Sequence, residues 1–122
     1  MRIIIAGGGT GGHLFPGIAL AEEFQARWPD VSVRFIGTTR GLEQRVIPPL
    51  GYSLTTLISA GIVGSGLRGK LIGAAYFVAG FFQALKLMVK DRPDLVVGTG
   101  GYVSGPAISA AWLLQIPAAI CE

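Results

Sequence analysis

Residues 7–13 read Gly-Gly-Gly-Thr-Gly-Gly-His, and residues 98–106 read Gly-Thr-Gly-Gly-Tyr-Val-Ser-Gly-Pro. Glycine-rich turns let a ligand approach backbone N–H groups closely, and a helix that starts after such a turn adds the positive end of its dipole. Both features favour an anion, a phosphate or pyrophosphate above all. Thr10 and Ser104 offer hydroxyl donors, although either is equally suited to cap a helix. His13 is the only histidine. At the start of a helix the dipole disfavours an imidazolium, and a neutral imidazole is a competent general base near pH 7. The plainer alternatives are tight strand–helix turns and a structural histidine.

The elements that must hold these residues follow from the pattern. Arg2–Ala6 reads as a buried strand, Gly7–Phe15 as a loop, and Pro16–Trp28 as a helix with proline in its first turn. Val31–Ile36 and Tyr52–Leu57 read as strands, with a short helix at Leu42–Ile47 between them. A loop over 58–69 leads to a long helix, Leu71–Lys90. Asp94–Val97 is a strand, Pro106–Leu114 a helix, and Pro117–Cys121 a fifth strand. Alternating strands and helices imply an α/β fold, a Rossmann-like doubly wound parallel sheet with order 3-2-1-4-5. Strands one and four are then neighbours at the topological switch point, and both glycine loops open into one crevice.

Several chemistries are excluded or weakened. Gly7, Gly9 and Gly12 satisfy a dinucleotide fingerprint, but Ile36-Gly37-Thr38-Thr39-Arg40 lacks the acidic residue for a ribose. Arg40 leaves only a thin NADP reading. No Lys-Ser/Thr follows the glycines, so the loop is not a P-loop. One cysteine, Cys121, permits no internal disulfide and no Cys/His metal set, so no metal and no cofactor is expected. The net charge of +3 comes without a basic stripe interleaved with aromatics, which argues against nucleic acid. The N-terminus reads as a strand, without a basic leader segment. One domain over residues 1–122 is expected, the beginning of a longer protein.

The two motifs, in this order and with Phe15-Pro16-Gly17 between them, resemble the MurG family of peptidoglycan glycosyltransferases. The resemblance implies the GT-B architecture, two Rossmann-like domains around a cleft, with this chain matching the N-terminal, acceptor-binding domain. It implies inverting transfer of N-acetylglucosamine from UDP-GlcNAc to undecaprenyl-pyrophosphoryl-muramyl pentapeptide in cell-wall synthesis. It further implies that Thr10, Gly11 and Gly12, with Gly9 beside them, contact substrate, and that His13 is the base. Gly100, Gly101, Tyr102 and Ser104 match the loop implied to hold the acceptor pyrophosphate. The family's usual His-Glu-Gln-Asn is here Cys121-Glu122, where the sequence stops. The missing asparagine and C-terminal domain imply that this segment alone does not turn over. Two alternatives remain: a non-catalytic membrane-anchoring half of a split GT-B enzyme, or a GT-B enzyme with another lipid acceptor.

The composition is 51% hydrophobic and 14% charged, against a usual charged share of about 25%. Much of the excess lies in the long helix. Residues 70–90 would span about 31 Å, enough to cross a bilayer. As a crossover between two strands of one sheet, the helix must instead lie on that sheet. Ala74, Phe77, Phe81, Ala84, Leu85 and Met88 form the expected sheet-facing stripe. Ile72, Ala75, Tyr76 and Ala79 lie opposite, beside Arg68 and Lys70. This patch is expected near the crevice and fits shallow insertion into an anionic membrane surface. Contact with a second domain or another subunit is the alternative. Peripheral attachment at the cytoplasmic face of the bacterial cell membrane follows as an expectation.

Overall fold

The structure, a computed structural model, describes residues 1–58 and 66–121. Among these, five parallel strands form one sheet: β1 (Arg2–Gly7), β2 (Ser32–Thr38), β3 (Ser53–Leu57), β4 (Leu95–Gly100) and β5 (Ala118–Ile120). Their order is β3-β2-β1-β4-β5, as the alternation of elements implied. The helices are α1 (Gly11–Arg27), α2 (Glu43–Val46), α3 (Gly66–Asp91) and α4 (Ser104–Leu113), with a 3₁₀ turn at Pro48–Leu50.

Strand β1 is buried on both sides, which is why it reads as an unbroken apolar run. Ile3 and Ile5 face α1, where they pack with Leu14, Ile18, Ala21, Phe35 and Val97. Ile4 and Ala6 face the other way and pack with Ala84 and Met88 of α3 and Ala107, Ala110 and Ala111 of α4. Burying one such aliphatic side chain contributes about 1.5–3 kcal/mol. Gly17 lies against Ile5 and Phe35, so a side chain there would push α1 off the sheet.

Most boundaries differ from the expected ones by one or two residues, and three that bear on the crevice and on α3 concern glycine. α1 starts at Gly11, not at Pro16, and Pro16 lies inside it. Glycine is a poor helix former, but the Thr10 carbonyl accepts the His13 and Leu14 amides at 3.2 and 3.1 Å and starts the helix early. β4 runs on to Gly100, because β1 beside it pairs as far as Gly7↔Gly100. α3 is helical from Gly66, so residues 66–69 of the expected loop are helix instead, and the part of that expectation covering residues 59–65 lies outside the described residues.

The expected sheet-facing stripe of α3 holds only in its second half. Ala84 and Met88 are buried and Phe81 and Leu85 pack against them, whereas Ala74 and Phe77 are exposed. The reason is length. A helix of 26 residues runs about 39 Å, a strand of 6 residues about 20 Å. Phe77 already lies against Gly105 at the start of α4, so the residues before it overhang the sheet. α3 is apolar and long enough to cross a membrane, with only 17% of its most apolar stretch buried. Of the large apolar side chains exposed on α3, Leu67, Leu71, Val78, Phe82 and Val89 fall on one stripe, and Tyr76 and Phe77 lie off it.

Candidate functional site

The C-terminal ends of β1 and β4 lie side by side, and the two glycine turns leave them there. Four glycines adopt backbone conformations that L side chains avoid: Gly8 (φ 153°), Gly9 (88°), Gly100 (115°) and Gly101 (89°). The turns touch. The His13 imidazole lies against the Gly100 backbone, and Gly101 sits over the Gly8 carbonyl, in both places with no room for a β-carbon. Thr99 Oγ1 donates to the His13 carbonyl at 2.7 Å. The half-buried His13, in the first turn of α1, is therefore seated by the second turn as much as by the first.

The amides of Gly11 and Gly12 head α1 and have no carbonyl one turn earlier in the helix to bond. Thr10 occupies the N-cap position, is exposed, and makes no capping bond through its hydroxyl. It is free to meet a ligand. Tyr102 is 57% exposed at the tip of the second turn. Glycines at the crevice and the positive end of α1 together make a cradle suited to a diphosphate.

Two of the expected contacts are differently employed. Ser104 neither caps α4 nor points a free hydroxyl into the crevice. Its Oγ accepts the Gly100 amide at 2.9 Å and lies 2.9 Å from the Ala6 carbonyl and 2.8 Å from that of Gly100. The single hydroxyl proton goes to one of those carbonyls, and the side chain locks the second turn onto β1. The Gly9 amide also points away from the crevice, donating to Glu43 Oε2 at 2.9 Å.

Glu43 escapes a reading of motifs because nothing nearby in sequence marks it. It is fully buried. Its other oxygen accepts the Thr38 amide at 2.5 Å and the Thr38 hydroxyl at 2.7 Å. Burial alone would raise its pKa, but hydrogen bonds from Gly9, Thr38 and its own amide outweigh that and hold the carboxyl below its usual range. An acidic residue does therefore reach the end of β2, from farther along the chain than the dinucleotide pattern demands. It is spent on backbone and offers nothing to a ribose. Among the described residues, no three His, Cys, Asp or Glu gather into a metal-binding group.

Of the apolar patch expected on α3, Tyr76 is 41% exposed and Arg68 and Lys70 are exposed, whereas Ile72 and Ala79 are half-buried. The more open residues of this overhang are Leu67 (74%) and Leu71 (63%). Ala75 is exposed as well, so the exposed surface keeps part of the expected face and extends around the helix beyond it.

A doubly wound parallel sheet with two glycine turns meeting at its switch point is the architecture of the N-terminal domain of a GT-B glycosyltransferase. Residues 3–122 match the glycosyltransferase family 28 N-terminal domain, and the chain belongs to that family. It is 52% identical over 122 residues to the UDP-N-acetylglucosamine--N-acetylmuramyl-(pentapeptide) pyrophosphoryl-undecaprenol N-acetylglucosamine transferases of Trichlorobacter lovleyi and Geobacter sulfurreducens. These alignments cover 100% of this chain and 32% and 34% of those proteins. The chain thus spans about a third of the length of the curated relatives it matches. Among solved structures, Acinetobacter baumannii MurG superposes with a TM-score of 0.83 at 33% identity, covering 98% of this chain and 34% of that one.

Proposed function

We propose that this domain is the acceptor-binding half of an inverting N-acetylglucosaminyltransferase. The full protein moves the sugar from UDP-GlcNAc to an undecaprenyl-pyrophosphoryl-muramyl pentapeptide. The observation that carries this reading is the meeting of the two glycine turns at His13. It sets a candidate base beside a cradle of helix-end amides. The relatives' names supply the substrates.

In this scheme the acceptor diphosphate lies over the Gly11 and Gly12 amides and the Thr10 hydroxyl, with Gly101 and Tyr102 on its other side. His13 takes the proton of the acceptor sugar hydroxyl as that oxygen bonds the anomeric carbon. The bond to UDP breaks on the opposite face, and UDP leaves with the electron pair, so the configuration inverts. A base of this kind contributes about 10²–10⁴-fold. The overhanging start of α3, with Leu67, Leu71 and Tyr76 beside Arg68 and Lys70, rests on an anionic membrane surface at the edge where the lipid-linked acceptor enters. The protein is accordingly peripheral, at the cytoplasmic face of the membrane.

The test is transfer of labelled GlcNAc by the full-length protein to the muramyl pentapeptide lipid, in competition with other polyprenyl-pyrophosphoryl sugars. Preferred use of the muramyl lipid, with a β-linked product, supports the reading. Preference for another acceptor overturns it.

A further inference from the structure

The buried carboxylate of Glu43 has no part in the chemistry above, yet much local structure is arranged around it. Gly8, Gly37 and Gly41 each approach the carboxylate or its stem so closely that a β-carbon would overlap it. Three separate segments thus give up a side chain at the same spot. A fully buried carboxylate is expensive unless charge-assisted hydrogen bonds satisfy it, and here the Gly9 amide and both Thr38 donors do so.

The consequence falls on the first glycine turn. Turning the Gly9 amide inward removes a donor from the crevice and fixes the direction in which the chain enters α1. The next amides able to face a ligand are those of Gly11 and Gly12, adjacent to His13. The negative charge beneath Gly8 and Gly9 also repels an anion from the β2 side of the switch point, where a dinucleotide would sit. An incoming diphosphate is pushed toward β4 and His13.

We propose that Glu43 is a positioning residue that sets the first glycine turn and confines the acceptor diphosphate to the His13 side of the crevice. This rests on the acceptor-binding role proposed above. In the full-length protein, Glu43→Gln keeps the size of the side chain but removes the charge and cannot accept from Gly9 and Thr38 together. Its kcat/KM for the lipid acceptor falls about 100-fold, the usual scale for misplacing a reacting group by about an ångström. The KM for UDP-GlcNAc is unchanged. The Gly9 amide proton, shifted downfield by its carboxylate partner, moves upfield.

Thr38→Val removes one partner of the same carboxylate while leaving the Gly9 bond, and it keeps acceptor kcat/KM close to that of the wild type. Wild-type acceptor kinetics in Glu43→Gln, or an equal loss in Thr38→Val, overturns the proposal. A wild type that does not use the lipid acceptor overturns the functional reading instead. The Gly9 resonance needs no substrate, and it then decides the Glu43 link: movement supports it, constancy overturns it.

Discussion

The two glycine turns look alike in sequence and are braced in opposite ways. The second turn is held from within: Ser104, four residues past Gly100, ties the Gly100 amide and the end of β1 together. The first is held from outside by Glu43, which lies 34 residues from Gly9 and arrives by way of β2 and α2. Both braces dock a turn on the sheet, but Ser104 does so with a neutral hydroxyl beside the turn it holds. Glu43 reaches its turn from a distant point of the chain and brings a charge. The first turn, which carries the candidate base, is the one with the long-range brace.

Variants at the junction and the two braces separate these roles. The largest effect is expected from Gly100→Ala, which breaks the contact between the turns. The new methyl overlaps the His13 ring in a backbone conformation that costs about 1–3 kcal/mol for a non-glycine residue. Both thermal stability and turnover should fall, turnover by about 100-fold or more. A variant with normal turnover would show that the turns need not meet.

Ser104→Ala should act mainly on stability. It removes hydrogen bonds whose net worth is about 1–2 kcal/mol together. Acceptor KM should rise less than in Glu43→Gln. The reverse ranking would make the inner brace the catalytic one.

The pH dependence of folding gives a third test. The Glu43 pKa is lowered from an ordinary value of about 4.5. Its contribution is therefore fully present above that value and is lost as pH falls through the folded-state pKa. Urea midpoints of the wild type should drop across this acidic window more steeply than those of Glu43→Gln. Parallel curves would remove the charge from the account. The smallest catalytic effect is expected from Leu67→Asp with Leu71→Asp, two exposed positions on α3. This pair should weaken binding to anionic vesicles while leaving turnover of a detergent-soluble acceptor unchanged.

Neither brace is legible in the sequence: Ser104 reads there as a cap or a ligand contact, and Glu43 leaves no mark at all. Strand order, the switch point and the clustering of Gly9–His13 with Gly100–Ser104 follow from periodicity and from crossover handedness, which are local signals joined by a strong rule. Glu43 sits in a short helix of 4 residues with no glycine pattern of its own. Its partners are backbone amides, which every residue has, and the hydroxyl of one threonine, so no spacing announces it. The start of α1 at Gly11 was obscured likewise: glycine's low helix propensity argues for a loop, and only the Thr10 carbonyl shows otherwise. On α3 the apolar pattern was legible. Which side meets solvent was not, because that depends on α4 lying beside it and on a helix longer than the strands it covers.

The central claim is that the turns meet in order to seat His13 as the base over an acceptor diphosphate. Its most direct test is a single-turnover transfer by the full-length His13→Ala protein, with UDP-GlcNAc binding measured on the same sample. The account predicts a rate lower by about a thousandfold with nucleotide-sugar affinity unchanged. A rate equal to that of the wild type would contradict it.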